Sequence, residues 1–391
     1  MTFSAIQKVY SDNQGILRLV PAFVAMNFNQ AGGRLHLHPD DCFPLGIRAG
    51  SVKERWLSST LHGPDGQGLS FVALSDNPTD KISFAEVVAE LGPELVGKEY
   101  YAKYRGWPIH SKFFDYKLPL FHHLHLDETA ANRIGAHGKP EAYYFPVQLN
   151  NYPGELPITF FGFSPDVTRS EVLARLRDWE KRDVHITELS RAYRLELGSG
   201  WYTPPGILHA PGSLLTYEVQ WNSAVGAVFE NVSSGEIFGM EHLTHSLPAG
   251  KKGDWEAILE LLDWEKNIDP LYREHYFRPQ VPIDTHSDLY SEKWIVYGNP
   301  YFGARETVIQ PGQTVVIQDP LAYGCIIIQG HGIIGLHPAE APTLLRYGQL
   351  SADEFFISES AARQGVRIVN NSQVEPLVLL RHFGPGYPGM P

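Results

Sequence analysis

The sequence predicts a mainly β fold with two jelly-roll barrels and a few helices inserted into and between them. Glycine and proline are frequent, at 36 and 29 of the 391 residues, and they are dispersed along the chain. Together with 19 Tyr, 20 Phe and 8 Trp, they favour many short strands joined by tight turns. Several stretches also alternate apolar and polar residues, which is the period of a half-buried strand. Many short strands separated by turns are typical of jelly rolls and related β architectures.

The strand candidates fall into two groups along the chain. The first group is AYRLELGSG (192–200), LTYEVQW (215–221) and AVGAVFENV (224–232). The second group occupies the last hundred residues, with ETVIQPGQTVVIQDP (306–320), YGCIIIQGHGIIGLH (323–337), GVRIVNN (365–371) and PLVLLRHFG (376–384). Glycine, serine, asparagine and proline bound these segments, so we expect each to be a short strand or a hairpin.

Three segments have the pattern of surface helices. In 82–92, Ser83 and Glu86 form a capping box, and Gly92-Pro93 is expected to end the helix. In 164–181 the apolar residues Val172, Leu176 and Trp179 share one face. In 253–266 the apolar face consists of Trp255, Ile258, Leu259 and Leu262. Charged residues cover the opposite faces, so each helix should pack on a larger body.

Charge and cysteine content exclude several classes of function. The formal net charge is -12 and no run of Lys or Arg occurs, which argues against a nucleic-acid or anionic-membrane partner. The two cysteines, Cys42 and Cys325, are far apart, so a disulfide framework is not expected. The first residues lack the basic and apolar regions of a secretory signal. We therefore expect a cytoplasmic protein; its oligomeric state is left open.

The segment FHHLHLDE is the sharpest local feature. Residues i and i+2 of a strand point to the same face, so His123 and His125 can offer their imidazoles to one ion. His122 should point the opposite way. A histidine pair of this kind is by itself more often packed or solvent-facing than metal-binding, so further ligands are needed.

Two later segments supply them. In HGKPEAYYF, Glu141 enters an aromatic, half-buried strand, where a carboxylate needs a partner or a metal. In PPGILHAPGS, the spacing P-x-G-x-x-H of Pro204, Gly206 and His209 indicates a turn that launches a short strand. The ordered combination predicts a metal site made of His123, His125, Glu141 and His209.

These motifs resemble the cupin family of type I phosphomannose (mannose-6-phosphate) isomerases. The similarity runs from ERWLSST (54–60) through IHSKFFDYKLPLFHHLH (109–125) and KPE (139–141) to PPGILHAPGSLLTYEVQWNS (204–223), and it covers roughly Glu54 to Phe229. It implies two cupin barrels and aldose–ketose isomerisation of a carbohydrate, with a divalent metal polarising the carbonyl. Zinc is the first choice, with manganese, iron or nickel as alternatives. The roles implied are catalysis by Glu218 and Lys139, and substrate contact by Trp56, Lys112 and Gln220.

Two departures from the family pattern bear on specificity. His123 stands where the family has a glutamine, which gives a shell of three histidines and one glutamate. Val228 stands where the family has an arginine that holds the substrate phosphate, and no Arg or Lys occurs between Arg194 and Lys251. A phosphate needs a cationic or amide cradle. We therefore expect weak or no activity on mannose 6-phosphate and a preference for an unphosphorylated or differently anchored sugar.

Two other functions stay open at this stage. The three-histidine shell also suits an iron oxygenase, and a sugar-binding protein without catalysis would keep the same site. We expect residues 1–250 to form a metal-binding barrel domain with helical insertions, 251–280 a helical connection and 281–391 a second, structural barrel. Its histidines, His331, His337 and His382, are expected in turns and at the surface. The pair His36 and His38 is expected in a loop at the surface or the cavity rim.

Overall fold

The computed structural model describes residues 3–150 and 157–391. Ten α-helices lie within these ranges: α1 (Phe3–Asp12), α2 (Phe84–Val96), α3 (Lys98–Tyr104), α4 (Glu128–Asn132), α5 (Arg169–Leu176), α6 (Met240–Thr244), α7 (Trp255–Leu259), α8 (Trp264–Asn267), α9 (Tyr272–Tyr276) and α10 (Glu359–Gln364). Short 3-10 turns occupy Pro39–Asp41, Ile47–Ala49, Pro64–Gly66, Ile186–Leu189 and Ala249–Lys251. No helix in the two described ranges has the length and apolar character needed to cross a bilayer.

Strands form most of the regular structure. They are β1 (Ile16–Val20), β2 (Ala22–Met26), β3 (Ser51–Leu57), β4 (Phe71–Ala73), β5 (Lys81–Ser83), β6 (Ile109–Phe114), β7 (His123–Leu124), β8 (Glu141–Tyr144), β9 (Ile158–Phe163), β10 (Ser190–Arg194), β11 (Ser199–Thr203), β12 (His209–Ala210), β13 (Thr216–Trp221), β14 (Ala227–Val228), β15 (Val232–Ser233) and β16 (Glu236–Ile237). The C-terminal part adds β17 (Phe277–Pro279), β18 (Val281–Ile283), β19 (Tyr290–Val296), β20 (Gly303–Ile309), β21 (Thr314–Ile317), β22 (Tyr323–Gln329), β23 (His331–Ile334), β24 (His337–Glu340), β25 (Glu354–Ile357), β26 (Val366–Asn370) and β27 (Leu377–Phe383).

Four sheets form successive layers. A five-stranded sheet (β10-β9-β12-β7-β14) faces a seven-stranded sheet (β17-β11-β8-β13-β6-β3-β2), and together they enclose the first barrel. A nine-stranded sheet (β18-β19-β20-β27-β22-β25-β1-β4-β5) and a four-stranded sheet (β21-β26-β23-β24) form the second. The seven- and nine-stranded sheets pack back to back through a shared core that includes Phe113, Tyr217, Ile326 and Leu380. The predicted mainly β fold with antiparallel sheets is therefore confirmed.

The N-terminal strand crosses to the other half of the molecule. Ile16 of β1 pairs with Ile357 of β25, and Leu19 pairs with Val72 of β4. Side chains of β1 such as Leu17 and Leu19 are buried in the core between the two large sheets. The division of the chain at residues 250 and 280 stays a prediction.

The first helix begins as predicted and is interrupted at the predicted end, where a second helical segment follows. Ser83 and Glu86 form the capping box that caps α2. The first helical segment ends at Leu91, directly before Gly92-Pro93 as predicted, and a second segment that contains Pro93 continues beyond the kink to Val96. A proline within a helix removes one hydrogen bond and crowds the preceding turn. The distorted backbone of Leu91 (φ -112°, ψ 18°) is the local kink that accommodates it.

The other two predicted helices are shorter than their patterns. In the second, α5 buries Val172 and Leu176, and Trp179 is buried just beyond its end. The third pattern splits into α7 and α8, because the side chain of Asp263 accepts a hydrogen bond from the amide of Lys266 and starts a new helix. The buried residues of α5 and α7 are thus among the predicted ones. In the third pattern, the cap at Asp263 decides where one helix ends and the next begins.

The second barrel has a charged interior. The buried guanidinium of Arg381 donates to the carboxylates of Asp319 and Glu292, and its Nε donates to Oγ1 of Thr307 at 3.0 Å. Tyr387 donates to Asp319 at 2.6 Å. A buried charge is tolerated when it is paired and hydrogen-bonded. This network occupies the barrel around β20 and β27.

The expectation that the histidines of the second barrel lie in turns and at the surface is confirmed for the exposed position of His331 and is wrong for His382. All three are in strands, and His382 of β27 is fully buried. Its Nδ1 lies within hydrogen-bond distance of Ser111 Oγ (3.0 Å) and Tyr217 Oη (2.9 Å), which belong to the seven-stranded sheet. His382 therefore joins the two barrels, a contact that the local sequence does not reveal.

Protonation of His382 should destabilise the protein in acid. Burial lowers the pKa of His382 to about 3, whereas an unfolded histidine titrates near 6.5. The unfolded state therefore binds the proton first, so this contribution to stability is complete above pH 6.5 and is lost as the pH falls. We expect His382→Asn to reduce the pH dependence of the free energy of unfolding between pH 6.5 and 5 by about 1.4 kcal/mol per pH unit.

Denaturant unfolding of the metal-free protein at several pH values measures this effect. His331→Asn is the control, because His331 is exposed in the same barrel and should leave the slope unchanged. If the free energy of unfolding of His382→Asn fell as steeply with decreasing pH as that of the unaltered protein, the proposed contribution of His382 would be contradicted.

Candidate metal centre

Three histidines converge inside the first barrel. His123 and His209 stand directly opposite each other on the antiparallel neighbours β7 and β12, and His125 lies two residues beyond His123. The ring centroids of His123 and His209 are 4.2 Å apart. The centroid of His125 lies 5.1 Å from that of His123 and 5.3 Å from that of His209. One nitrogen of each ring lies within 4.8 Å of the others. His122 points the other way, to Glu230 at 3.0 Å, as the alternation of a strand predicts.

The turn before His209 explains the spacing P-x-G-x-x-H. Gly206 has φ +80°, a conformation that favours glycine. Its amide donates to the carbonyl of His125 at 2.7 Å, and its carbonyl accepts from the amide of Asp263 at 3.0 Å. These two hydrogen bonds therefore connect the turn before His209 to the segment that contains His125 and to the start of α8.

Backbone carbonyls fix the tautomers of all three imidazoles. Nδ1 of His123 lies 2.9 Å from the carbonyl oxygen of Phe121, and Nδ1 of His125 lies 2.9 Å from that of Val225. Nδ1 of His209 lies 2.8 Å from the carbonyl oxygen of Ile207. A carbonyl only accepts, so each Nδ1 carries the proton and donates. Each Nε2 is then a free lone pair, which is the orientation found in metal-binding histidines.

Glu141 reaches the cluster from the facing sheet. Its carboxylate oxygens lie 3.0 Å from Nε2 of His125 and 3.0 Å from Nε2 of His209. Tyr143, two residues along β8, donates a hydrogen bond to the same carboxylate. The ammonium of Lys139 lies 2.9 Å from Glu141 and 2.9 Å from Nε2 of His125.

The residues fit a divalent cation. Nε2 of His209 is buried without a hydrogen-bond donor, although a carboxylate oxygen lies 3.0 Å away. Two sets of lone pairs at that distance repel each other unless a positive charge lies between or beside them. Two zinc–nitrogen bonds of about 2.1 Å span at most about 4.2 Å. The three imidazoles thus enclose a volume only slightly larger than one ion requires.

The pKa values favour the forms that bind metals. Burial, with the neighbouring histidines, lowers the pKa of His123 well below its usual value. Burial and the charge of Lys139 lower the pKa of His125 to about 4. Burial opposes ionisation of Glu141, but Lys139 and His125 hold its pKa well below the usual range. Neutral imidazoles and an ionised carboxylate are the ligand forms that a metal requires.

A second row of polar side chains crosses the same barrel. Trp56, Lys112 and Glu218 are paired across β3, β6 and β13, so they share the interior face. Nζ of Lys112 lies 3.3 Å from Glu218 and 3.5 Å from Glu54. The indole of Trp56 donates to Glu54 at 2.7 Å and is nearly buried. This row lies beside the row that contains Glu141.

Glu218 is a buried acid of this interior whose pKa is raised. Burial and the nearby charge of Glu141 raise the pKa of Glu218 to about 8, against the opposing effects of Lys112 and Lys139. One of its oxygens is buried without a hydrogen bond, 3.7 Å from Nζ of Lys139. A buried carboxyl with a pKa near neutrality suits proton transfer.

The sequence analysis missed three side chains of this interior. Tyr143 donates to Glu141, Tyr116 donates to Glu54 at 2.7 Å, and His110 pairs with Gln220 across β6 and β13. The alternation of strands provided the signal for two of them, since Tyr143 is two residues from Glu141 and His110 is two residues from Lys112. The phenol of Tyr116 lies beyond the end of β6 and had no such signal.

The other candidates lie apart from the cluster. His36 has φ +56° and contacts the carbonyl of Pro342, and His38 caps a 3-10 turn, so their imidazoles do not form a pair. Val228 is the strand partner of His123, and it lines a cavity of about 320 Å³ together with Phe121, His123 and Lys252. Lys252 follows the stretch between Arg194 and Lys251 in which the sequence has no Arg or Lys, so this cavity does have a cationic side chain in its lining.

Comparison with solved structures identifies the fold. A protein assigned as a mannosephosphate isomerase from Archaeoglobus fulgidus aligns with a TM-score of 0.63 and 17% identity, over 95% of this chain and 98% of that chain. The mannose 6-phosphate isomerase of Bacillus subtilis aligns with a TM-score of 0.60 and 19% identity, over 95% and 100%. A phosphomannose isomerase mutant of Salmonella typhimurium aligns with a TM-score of 0.59 and 11% identity, over 95% and 100%. The chain therefore has the fold of these proteins over nearly its whole length.

Sequence comparisons add nothing to this result. No protein-family model matches the chain, and no curated protein matches it. The assignment of roles to individual residues therefore depends on the site itself.

Proposed function

We propose that the protein is a metal-dependent aldose–ketose isomerase that acts on a small sugar. The observation that carries the proposal is the position of Glu218, a buried carboxyl with a raised pKa, one row from Glu141, which contacts two of the three converging histidines. The fold of mannose-phosphate isomerases over 95% of the chain supports the same reaction class.

His123, His125, His209 and Glu141 would hold the metal, with zinc as the first choice. When bound, the ion supplies a Lewis acid that polarises the sugar carbonyl. The hydrogen bonds from Nδ1 to backbone carbonyls keep the imidazoles in one tautomer, and Tyr143 orients the carboxylate of Glu141.

Glu218 would move the proton between the two adjacent carbons. Its ionised form accepts the carbon-bound proton, and its protonated form returns a proton to the neighbouring carbon. Lys112 and Lys139 flank its carboxylate at 3.3 and 3.7 Å, so their charges stabilise the ionised form against the effect of burial.

The other predicted residues have narrower roles. Lys139 already donates to a ligand lone pair of His125, so it competes with an incoming ion for that atom. Gln220 faces the interior beside Glu141, where it can contact substrate. Trp56 is nearly buried and stacks on His110 at 4.9 Å, so it positions that ring and offers only an edge to a ligand. A cytoplasmic location and a small-molecule carbohydrate partner complete the proposal.

The test is an isomerase assay on purified protein loaded with zinc. We expect interconversion of mannose and fructose, loss of activity after chelation, and recovery when zinc is returned. The phosphorylated pair is assayed in parallel. If the protein interconverted neither the free nor the phosphorylated pair, the proposal would be overturned. Consumption of oxygen would then indicate an oxygenase, and sugar binding without turnover would indicate a binding protein.

A further inference from the structure

Two buried acceptor atoms lie in the row that crosses the barrel at Glu141. Gln220 is the strand partner of both Glu141 and His110, so the three side chains stand side by side on the interior face of β8, β13 and β6. His110 is fully buried and Gln220 is 3% exposed. Neither Nε2 of His110 nor Oε1 of Gln220 has a hydrogen-bond partner among the described residues.

The hydrogen-bond network fixes His110 as an acceptor at Nε2. Its Nδ1 lies 2.9 Å from Oδ1 of Asn222. The amide nitrogen of Asn222 is directed to Thr60 and to the carbonyl of Trp107, which only accepts. Oδ1 is therefore the atom that faces His110, so Nδ1 donates and Nε2 is a lone pair. Burial and the charge of Lys112 lower the pKa of His110 well below its usual value, which keeps the ring neutral.

Gln220 is fixed in the same sense. Its amide nitrogen donates to the carbonyls of Trp221 at 3.2 Å and Ser223 at 3.3 Å. Both partners are obligate acceptors, so the orientation of the amide is determined and Oε1 is the atom left without a donor. On the side of Glu141 that carries Gln220 and His110, the row therefore presents two unpaired acceptors, and the one unpaired hydroxyl of its described part is that of Thr203 on the opposite side.

From this row we infer that His110 and Gln220 bind hydroxyl groups of the substrate remote from its reacting carbons, and thereby select a sugar that is not phosphorylated there. This inference rests on the proposed function. A hydroxyl donates a hydrogen bond to each acceptor, whereas an ionised phosphate offers only acceptor oxygens. Adjacent strands lie about 4.8 Å apart, so His110 is roughly 10 Å from Glu141, which suits the far end of an extended sugar.

The charges of the interior agree with this assignment. The ammonium groups of Lys112 and Lys139 are already paired with the carboxylates of Glu54, Glu141 and Glu218. No unpaired cation therefore remains in the described part of these two rows to hold a phosphate. Lys252 is not part of these two rows; it lines the cavity beside His123 and Val228.

The experiment compares three ligands by calorimetry on the zinc-loaded protein: mannose, 6-deoxymannose and mannose 6-phosphate. We expect mannose to bind at least about tenfold more tightly than either analogue, because a site built to bind a hydroxyl rejects a ligand that lacks it. In His110→Phe, which keeps a ring against Trp56, the ratio of mannose to 6-deoxymannose should fall towards one. Gln220→Met, which has a similar shape without the acceptor, should also reduce it.

A ratio measured within one variant does not depend on the fraction of folded protein. Equal binding of mannose and 6-deoxymannose to the unaltered protein, tighter binding of mannose 6-phosphate, or no saturable binding of mannose would overturn the inference. An unchanged ratio in both variants would do the same. Selective binding of mannose without turnover would overturn the proposed isomerase function alone.

Discussion

Replacement of His209 by alanine should abolish stable metal binding. His209 is fully buried, stands opposite His123 and has its free Nε2 3.0 Å from Glu141, so it joins the ligands of the two sheets. Loss of a residue that merely orients a ligand costs about 10- to 100-fold in metal affinity. Loss of a ligand should therefore cost at least about 100-fold, and elemental analysis of the purified variant should find almost no metal.

His122→Asn is the matched control for this prediction. His122 is adjacent to His123 in sequence and, like His209, is buried, but it faces Glu230 on the other side of the strand. This variant should retain the metal of the unaltered protein. Metal should also raise the melting temperature of the unaltered protein and of His122→Asn, because it binds only the folded state. Full metal occupancy in His209→Ala would show that the cluster is not a metal site.

Replacement of Glu218 by glutamine should reduce kcat by about 10²- to 10⁴-fold. Glutamine has the shape of glutamate and can still accept from Lys112, but it cannot take up a proton from carbon. The expected signature is the loss of deuterium incorporation at the reacting carbons when the sugar is incubated in D₂O, measured by NMR. Metal content should stay at the level of the unaltered protein, because the structure places Glu218 outside the group of converging histidines.

These measurements separate a catalytic role from a structural one. A salt-bridged carboxylate that only supports the barrel would lower stability on substitution and leave isotope exchange intact in the folded fraction. Retention of the full rate and of deuterium exchange in Glu218→Gln would therefore exclude it as the base. The raised pKa of about 8 would then reflect burial and the charge of Glu141 alone.

The candidate site was largely predictable because strands alternate. The i, i+2 spacing of His123 and His125 placed both imidazoles on one face, and the same alternation turned His122 towards Glu230. The glycine in P-x-G-x-x-H indicated the turn, and Gly206 does adopt a positive φ. The ligand set itself stays a prediction until metal is measured.

Helix lengths were predicted less well than helix faces. A capping box acts within four residues, so Ser83 and Glu86 were readable from sequence. Whether a helix survives Pro93 depends on a kink at Leu91 and on packing against neighbouring elements, which no local rule supplies. The split between α7 and α8 arose because Asp263 caps a new helix and meets Gly206 of a distant turn.

By itself the sequence determined the mainly β class and the faces of the strands and helices, and it predicted a set of metal ligands whose three histidines converge. These properties follow from periodicities and turn chemistry within a few residues. Only the tertiary structure decided that β1 joins the second barrel, that His382 is buried between barrels, and that His110 and Gln220 are left with unpaired acceptors. The reason is physical: burial and hydrogen-bond satisfaction depend on which distant strands become neighbours.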